Sequence, residues 1–208
     1  MSILALTARV TARRTFYVKL SVMKNLKLAI VDVETTGHSV RHGRIIEIGI
    51  VRVEQGRVVK KFNSLIDPEQ PVSEFITGLT GITDAHLEKA PTFISIKEKI
   101  EVLLDDCIFV AHNAPFDYSF IQSEFRRIGD RYHAQSLCTV RLSRALYPEH
   151  RHHNLDSVIE RCGIICKNRH RALDDAQAVW DFIKHAQKNT SPKKLSEAVK
   201  KVLRPQRL

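Results

Sequence analysis

Apolar runs broken by turn-forming dipeptides give this chain an alternating plan of strands and helices. Residues 27–34 (KLAIVDVE) are dominated by Leu, Ile and Val and predict a buried strand. A second strand is predicted over 44–54, where Ile46, Ile48 and Ile50 alternate with Glu47 and Gly49. Gln55-Gly56 then makes a tight turn, and residues 57–66 return as a third strand, an antiparallel meander that Asp67-Pro68 ends.

Helical spacing takes over further on. Pro91 and Thr92 open a helix in which Phe93, Ile96, Ile100 and Leu103 share a face. Residues 107–112 (CIFVAH) predict a fourth strand, and Asn113-Ala114-Pro115 starts a helix with an apolar face of Phe116, Phe120, Ile121, Phe125 and Ile128. A short fifth strand over 136–140 leads into a helix ending near Leu146. Asn154 caps a helix over 155–162 that Gly163 terminates. The last long helix runs from near Arg171 to about Lys188, and Ser191-Pro192 opens a short basic tail. The pattern implies an α/β fold: a mixed five-stranded sheet, meander plus parallel strands, with helices on both faces.

Composition narrows the class. A chain of 208 residues, 43% hydrophobic and 27% charged, is expected to form one domain, and it holds no apolar run of membrane-spanning length. The net charge is +10, but residues 1–25 carry +5 and residues 184–208 carry +7, which leaves 26–183 at −2. The basic ends suit a polyanion and equally suit solubility. Expected boundaries are a basic, poorly ordered N-terminal extension over 1–25, a catalytic domain over 26–188 and a basic C-terminal tail over 189–208. Cys107, Cys138, Cys162 and Cys166 lack paired C-x-x-C spacing and read as free thiols of a reducing, cytoplasmic compartment. Residues 1–22 are rich in Arg, Thr and Ser without acids, which leaves organellar targeting open, as it leaves open whether Met1 or Met23 is the start.

Candidate chemistry lies in three acidic stretches. Asp32 and Glu34, two apart on a strand, project from the same face and repel one another unless a cation lies between them. Thr35-Thr36-Gly37 after them suits backbone contact with a ligand, as a plain turn also would. Asp117 falls in a helix's first turn, where capping alone could explain it. His112 and Asn113 shape the turn before it, with Asn113 a candidate substrate contact. On the last helix, at about 100° per residue, Asp175 borders the apolar face of Ala172, Leu173, Ala176, Val179, Trp180 and Ile183, while Asp174 points away to solvent. His170 precedes that helix on a turn expected to be mobile, among Lys167, Arg169 and Arg171. An imidazole accepts a proton near neutral pH.

D-x-E-T-T-G at 32–37, H-N-A-P-F-D at 112–117 and H-x-x-x-x-D at 170–175, with LTGIT at 79–83 and HNLD at 153–156, carry a resemblance over roughly residues 26–186. The sequence resembles the DEDDh family of 3′–5′ exonucleases, which includes the proofreading (epsilon) subunit of bacterial DNA polymerase III. The resemblance implies a ribonuclease H-like fold. It implies two divalent ions, Mg²⁺ or Mn²⁺, held by Asp32, Glu34, Asp117 and Asp175, with His170 as general base. Thr35, Thr36, Asn113 and Phe116 are expected to hold the terminal nucleotide, with stacking on Phe116 tolerating any base. The expected substrate is the 3′ end of single-stranded DNA, releasing nucleoside 5′-monophosphates; RNA trimming, as in the related ribonuclease T and oligoribonuclease, is the rival. An inert binding module would have lost one of the five catalytic residues. A stable polymerase partnership is doubtful, because only a short basic segment follows the last helix.

Overall fold

One strand carries both core and chemistry. In the computed structural model, which describes residues 26–205, β1 (Leu28–Thr35) runs through the middle of the sheet. Its odd positions Ala29, Val31 and Val33 pack under one layer of helices, and its even positions Leu28 and Ile30 under the other. Further along, the second face turns from apolar to acidic, at Asp32 and then Glu34.

The meander forms as predicted. Antiparallel to β1 runs β2 (Ile45–Glu54), which pairs in turn with β3 (Arg57–Leu65). Gln55 and Gly56 both take positive φ (52° and 73°) in the two-residue turn, a conformation in which glycine has no steric cost. Parallel to β1 lies β4 (Ile108–Ala111), and parallel to that, β5 (Ser136–Cys138). The sheet has one strand more than the five expected: β6 (Leu203–Arg204) pairs antiparallel with β5, giving the order β3-β2-β1-β4-β5-β6. Two residues are too short a run to leave a periodicity in sequence, so only the pairing identifies them as a strand.

Helices cover both faces. α1 (Glu74–Thr80) and α2 (Asp84–Leu87) form a small satellite core around Ile46, Ile76, Ile82 and Leu87. α1 ends at Gly81 of the LTGIT motif in the left-handed region (φ 72°). On one sheet face α3 (Phe93–Leu104) and α4 (Ala114–Arg127) bury Phe93, Phe120 and Phe125 against Val31 and Phe109. On the other lie α5 (Thr139–Leu146), α6 (Leu155–Cys162), α7 (Ala172–Asn189) and α8 (Pro192–Val202), around Leu142, Val158, Val179, Trp180 and Phe182. α8 buries Leu195, Ala198, Val199 and Val202 and turns its lysines outward. The expectations for residues 1–25 lie outside the described residues. All four cysteines are free, and among the described residues no helix is long and apolar enough to cross a membrane.

Candidate active site

The carboxyl ends of β1 and β4 and the first turns of α4 and α7 meet at one end of the sheet, where sites on α/β sheets gather. Asp32 and Glu34 are half-buried there on the face that α7 covers. Asp117 is buried in the first turn of α4, its Oδ1 accepting a hydrogen bond from the Val33 N–H (3.2 Å). Asp175 is buried in the first turn of α7 and accepts from the His170 N–H at Oδ2 (3.2 Å). Ligand-capable atoms of Glu34, His170 and Asp175 all lie within 4.8 Å of one another. Asp174 is half-exposed and accepts from Asn168 Nδ2 (2.8 Å), so it is tied to the surface loop rather than turned inward.

Burial and mutual repulsion keep the four carboxyls protonated more readily than usual. Burial, then Asp117, Asp175 and Glu34, push Asp32 well up. Burial and then Asp175 raise Glu34 to about 7. Burial raises Asp117 to about 8 against its backbone hydrogen bonds. Asp175 is raised by burial, opposed by Arg169. Acids gathered and desolvated in this way fit hard divalent cations with oxygen ligands, which relieve the repulsion that protons otherwise relieve.

A stability prediction follows from the sign of these shifts. An unfolded carboxyl titrates near pH ~4, so between about 4 and 8 the folded protein binds more protons than the unfolded chain, and stability falls as pH rises through that window. Glu47 and Asp156 are shifted the other way, but their contribution is lost only on acidification below about pH 4. His112 (about 4) and His153, both lowered by burial, oppose the trend by adding stability as pH rises to about 6.5, two groups against four carboxyls. Metal-free protein in EDTA is therefore expected to melt higher at pH 5 than at pH 8. Millimolar Mg²⁺ or Mn²⁺ should raise the melting temperature more at pH 8 than at pH 5. Equal gains at both pH values, read by scanning fluorimetry, would refute a cation site built from these acids.

The residues expected to hold substrate divide. Asn113 is exposed with φ 79°, and its side chain makes no capping hydrogen bond. Phe116 is half-buried, its ring centroid 4.9 Å from that of Phe120. Thr35 is buried and donates to the Gly37 carbonyl (2.9 Å). The Thr36 hydroxyl accepts from the Arg44 N–H (3.0 Å) and from Gln70 Nε2 (2.6 Å), so it is already engaged in shaping the loop. His112 is a strap: its ring nitrogens face Thr139 Oγ1 (3.0 Å) and the His153 carbonyl (2.9 Å), and burial lowers its pKa to about 4.

Sequence reasoning missed how the His170 turn is held. His170 takes a positive φ (60°), an uncommon conformation for a residue with a side chain, and an arginine on each side is clamped to an acid of another element. Arg171 binds Glu47 of β2 through Nη2 (2.7 Å) and Nε (3.0 Å), and Glu47 also accepts from Asn63 Nδ2 (2.9 Å) and the Ala172 N–H (3.1 Å). Burial alone would raise the pKa of this fully buried carboxylate, but those bonds hold it below its ordinary value. Arg169 binds Asp156 of the HNLD motif (2.6 Å) and Asp175. Next to Glu47 on the same face, Gly49 lies opposite Asp32 in register; a Cβ there would come within 2.3 Å of the Ala172 and Leu173 backbone. The side of β2 that carries Glu47 and Gly49 is thus covered by α7.

The mixed sheet thus gathers four acids and a histidine at the carboxyl end of its central strands. Comparison with known proteins supplies the family: residues 29–182 match the exonuclease family RNase_T, and the chain belongs to that family. The PolC-type DNA polymerase III of Caldanaerobacter subterraneus subsp. tengcongensis is 36% identical over 163 residues, 78% of this chain and 12% of that protein. The 3′–5′ exonuclease DinG of Staphylococcus saprophyticus is 37% identical over 149 residues, 71% of this chain and 17% of that protein. The chain thus spans only a small part of these relatives. Similar solved structures include exonuclease X with 5′-overhanging duplex DNA (24% identity, TM-score 0.63, 83% of this chain, 99% of that one). Another is E. coli exonuclease I with a dT13 oligonucleotide (17% identity, TM-score 0.73, 83% of this chain, 43% of that one). At these identities the likeness is one of fold.

Proposed function

We propose that this chain is a metal-dependent 3′–5′ exonuclease that releases nucleoside 5′-monophosphates from single-stranded DNA, in proofreading or repair. The observation that carries the reading is the convergence of Asp32, Glu34, Asp117 and Asp175, from three separate elements, on one desolvated cluster faced by His170. Relatives named as DNA polymerases and as a 3′–5′ exonuclease support DNA over RNA.

The four carboxylates would hold two divalent ions, Mg²⁺ or Mn²⁺. Bound there, such ions supply activation of a water and neutralisation of charge on the leaving 3′ oxygen. His170 accepts the proton of the attacking water at a ring nitrogen, and the two arginine clamps keep the imidazole facing Glu34 and Asp175. Asn113 and Phe116 orient the terminal nucleotide, with the ring as a base-tolerant stacking surface. The Thr35 and Thr36 side chains hold the loop that carries their backbone to the substrate.

The test is a ladder. With 5′-labelled single-stranded DNA and RNA of one sequence, Mg²⁺ or Mn²⁺ should give progressive shortening from the 3′ end and EDTA none. Shortening that persists in EDTA, or its absence with either metal, sinks the reading; faster loss of the RNA overturns the DNA assignment alone.

A further inference from the structure

A cavity of ≈ 460 Å³ opens at the carboxyl ends of β4 and β5, of which β4 pairs with β1. Its walls are the first turn of α4 (Asn113, Pro115), the exposed side of α5 (Arg141, Arg144) and the loop entering α6 (Asn154), with His112 and His153 behind. No carboxylate lines it. The two histidines offer nothing to a ligand, since both nitrogens of each ring are already engaged: His112 by Thr139 and the His153 carbonyl, His153 by Ser143 (2.8 Å) and the His150 carbonyl (2.9 Å).

The arginines are different. Arg141 and Arg144 are exposed, and neither has a hydrogen bond or ion pair among the described residues. The arginines that build the active site, Arg44, Arg169 and Arg171, are each bound to a carboxylate. Spaced three apart on α5, Arg141 and Arg144 stand on one face on successive turns. α4 connects the two places: Asn113 faces this cavity, and one turn later Asp117 reaches under β1 to the acid cluster.

From this continuity we infer that the groove is the track for the phosphodiester backbone of the strand on the 5′ side of the cleaved bond, with Arg141 and Arg144 contacting successive phosphates. The inference rests on the exonuclease reading for the strand's direction. The groove's affinity for a polyanion does not depend on catalysis.

The double variant Arg141→Gln/Arg144→Gln tests it, with Arg57→Gln on the opposite edge strand as control. Binding of a fluorescent (dT)20 is followed by anisotropy in EDTA over a range of NaCl concentrations. The double variant should weaken binding at least tenfold near 0.1 M salt. Two lost phosphate contacts should also lower the salt slope by about 1.4. Arg144→Lys, which keeps the charge, should recover most of the affinity, and melting temperatures unchanged from wild type confirm that the fold is intact. Hydrolysis of the p-nitrophenyl ester of thymidine 5′-monophosphate, which has no upstream strand, should be unaffected. Affinity and slope equal to wild type, an equal loss in Arg57→Gln, or a parallel loss on the ester overturns the groove. Failure of the exonuclease reading is separate: the wild-type protein would then cleave neither ester nor oligonucleotide with metal, while the binding arms still report on the groove.

Discussion

Asp32→Ala is expected to abolish metal-dependent shortening of a 5′-labelled oligonucleotide, lowering turnover on the order of 10³-fold or more, while making the metal-free protein more stable. The two effects have one cause. Asp32 is half-buried among Asp117, Asp175 and Glu34, and all three repel its charge. Removing the carboxylate takes away a cation ligand and relieves the repulsion that the fold otherwise carries. In EDTA at pH 8 the variant should melt above wild type, and the melting gain on adding Mg²⁺ or Mn²⁺ should shrink. Activity within tenfold of wild type, or a lower melting temperature in EDTA, would show that Asp32 is an ordinary structural acid. A site that is less stable than its own knockout is the behaviour expected where function and stability oppose each other.

The second large effect lies away from the acids. Gly49→Ala puts a methyl group within 2.3 Å of the Ala172 carbonyl carbon and the Leu173 nitrogen. Both atoms belong to the backbone of α7, so no side chain can swing aside; the first turn of the helix must withdraw from β2. Overpacking of this kind costs about 1–3 kcal/mol, or roughly 2–12 °C in melting temperature for a chain of this size. Withdrawal also carries Asp175 and His170 away from Asp32 and Glu34, so turnover should fall by about 10²-fold, as for ångström-scale misplacement. Circular dichroism melts and the ladder assay read the two losses together. A variant that melts lower yet keeps wild-type turnover would separate α7's seat from the chemistry.

Much of this was legible in the chain because the signals are local. The period of two on β1 put Asp32 and Glu34 on one face, and the 100° step along α7 chose Asp175 over Asp174. Gln55-Gly56 marked the hairpin by its turn chemistry. Contacts between residues far apart in sequence were not legible. Glu47 and Arg171 are separated by 124 positions, and no window that spans strand or helix periods can pair them. Without that pairing, Glu47 looks like the polar side of an edge strand and Arg169 and Arg171 like surface charge. The turn expected to be mobile is clamped on both sides for the same reason. β6 escaped because a strand of two residues exists only through its partner.

That partner relation bears on how the chain can be shortened. β5 is three residues long and would be the edge of the sheet if β6 were absent. A chain cut after α7 would leave its outward N–H and C=O groups unpaired and strip the cover of α8 from its apolar surroundings. An open strand edge beside bare apolar surface is a template for joining other copies. The two residues Leu203 and Arg204 thus help keep the molecule from sticking to itself.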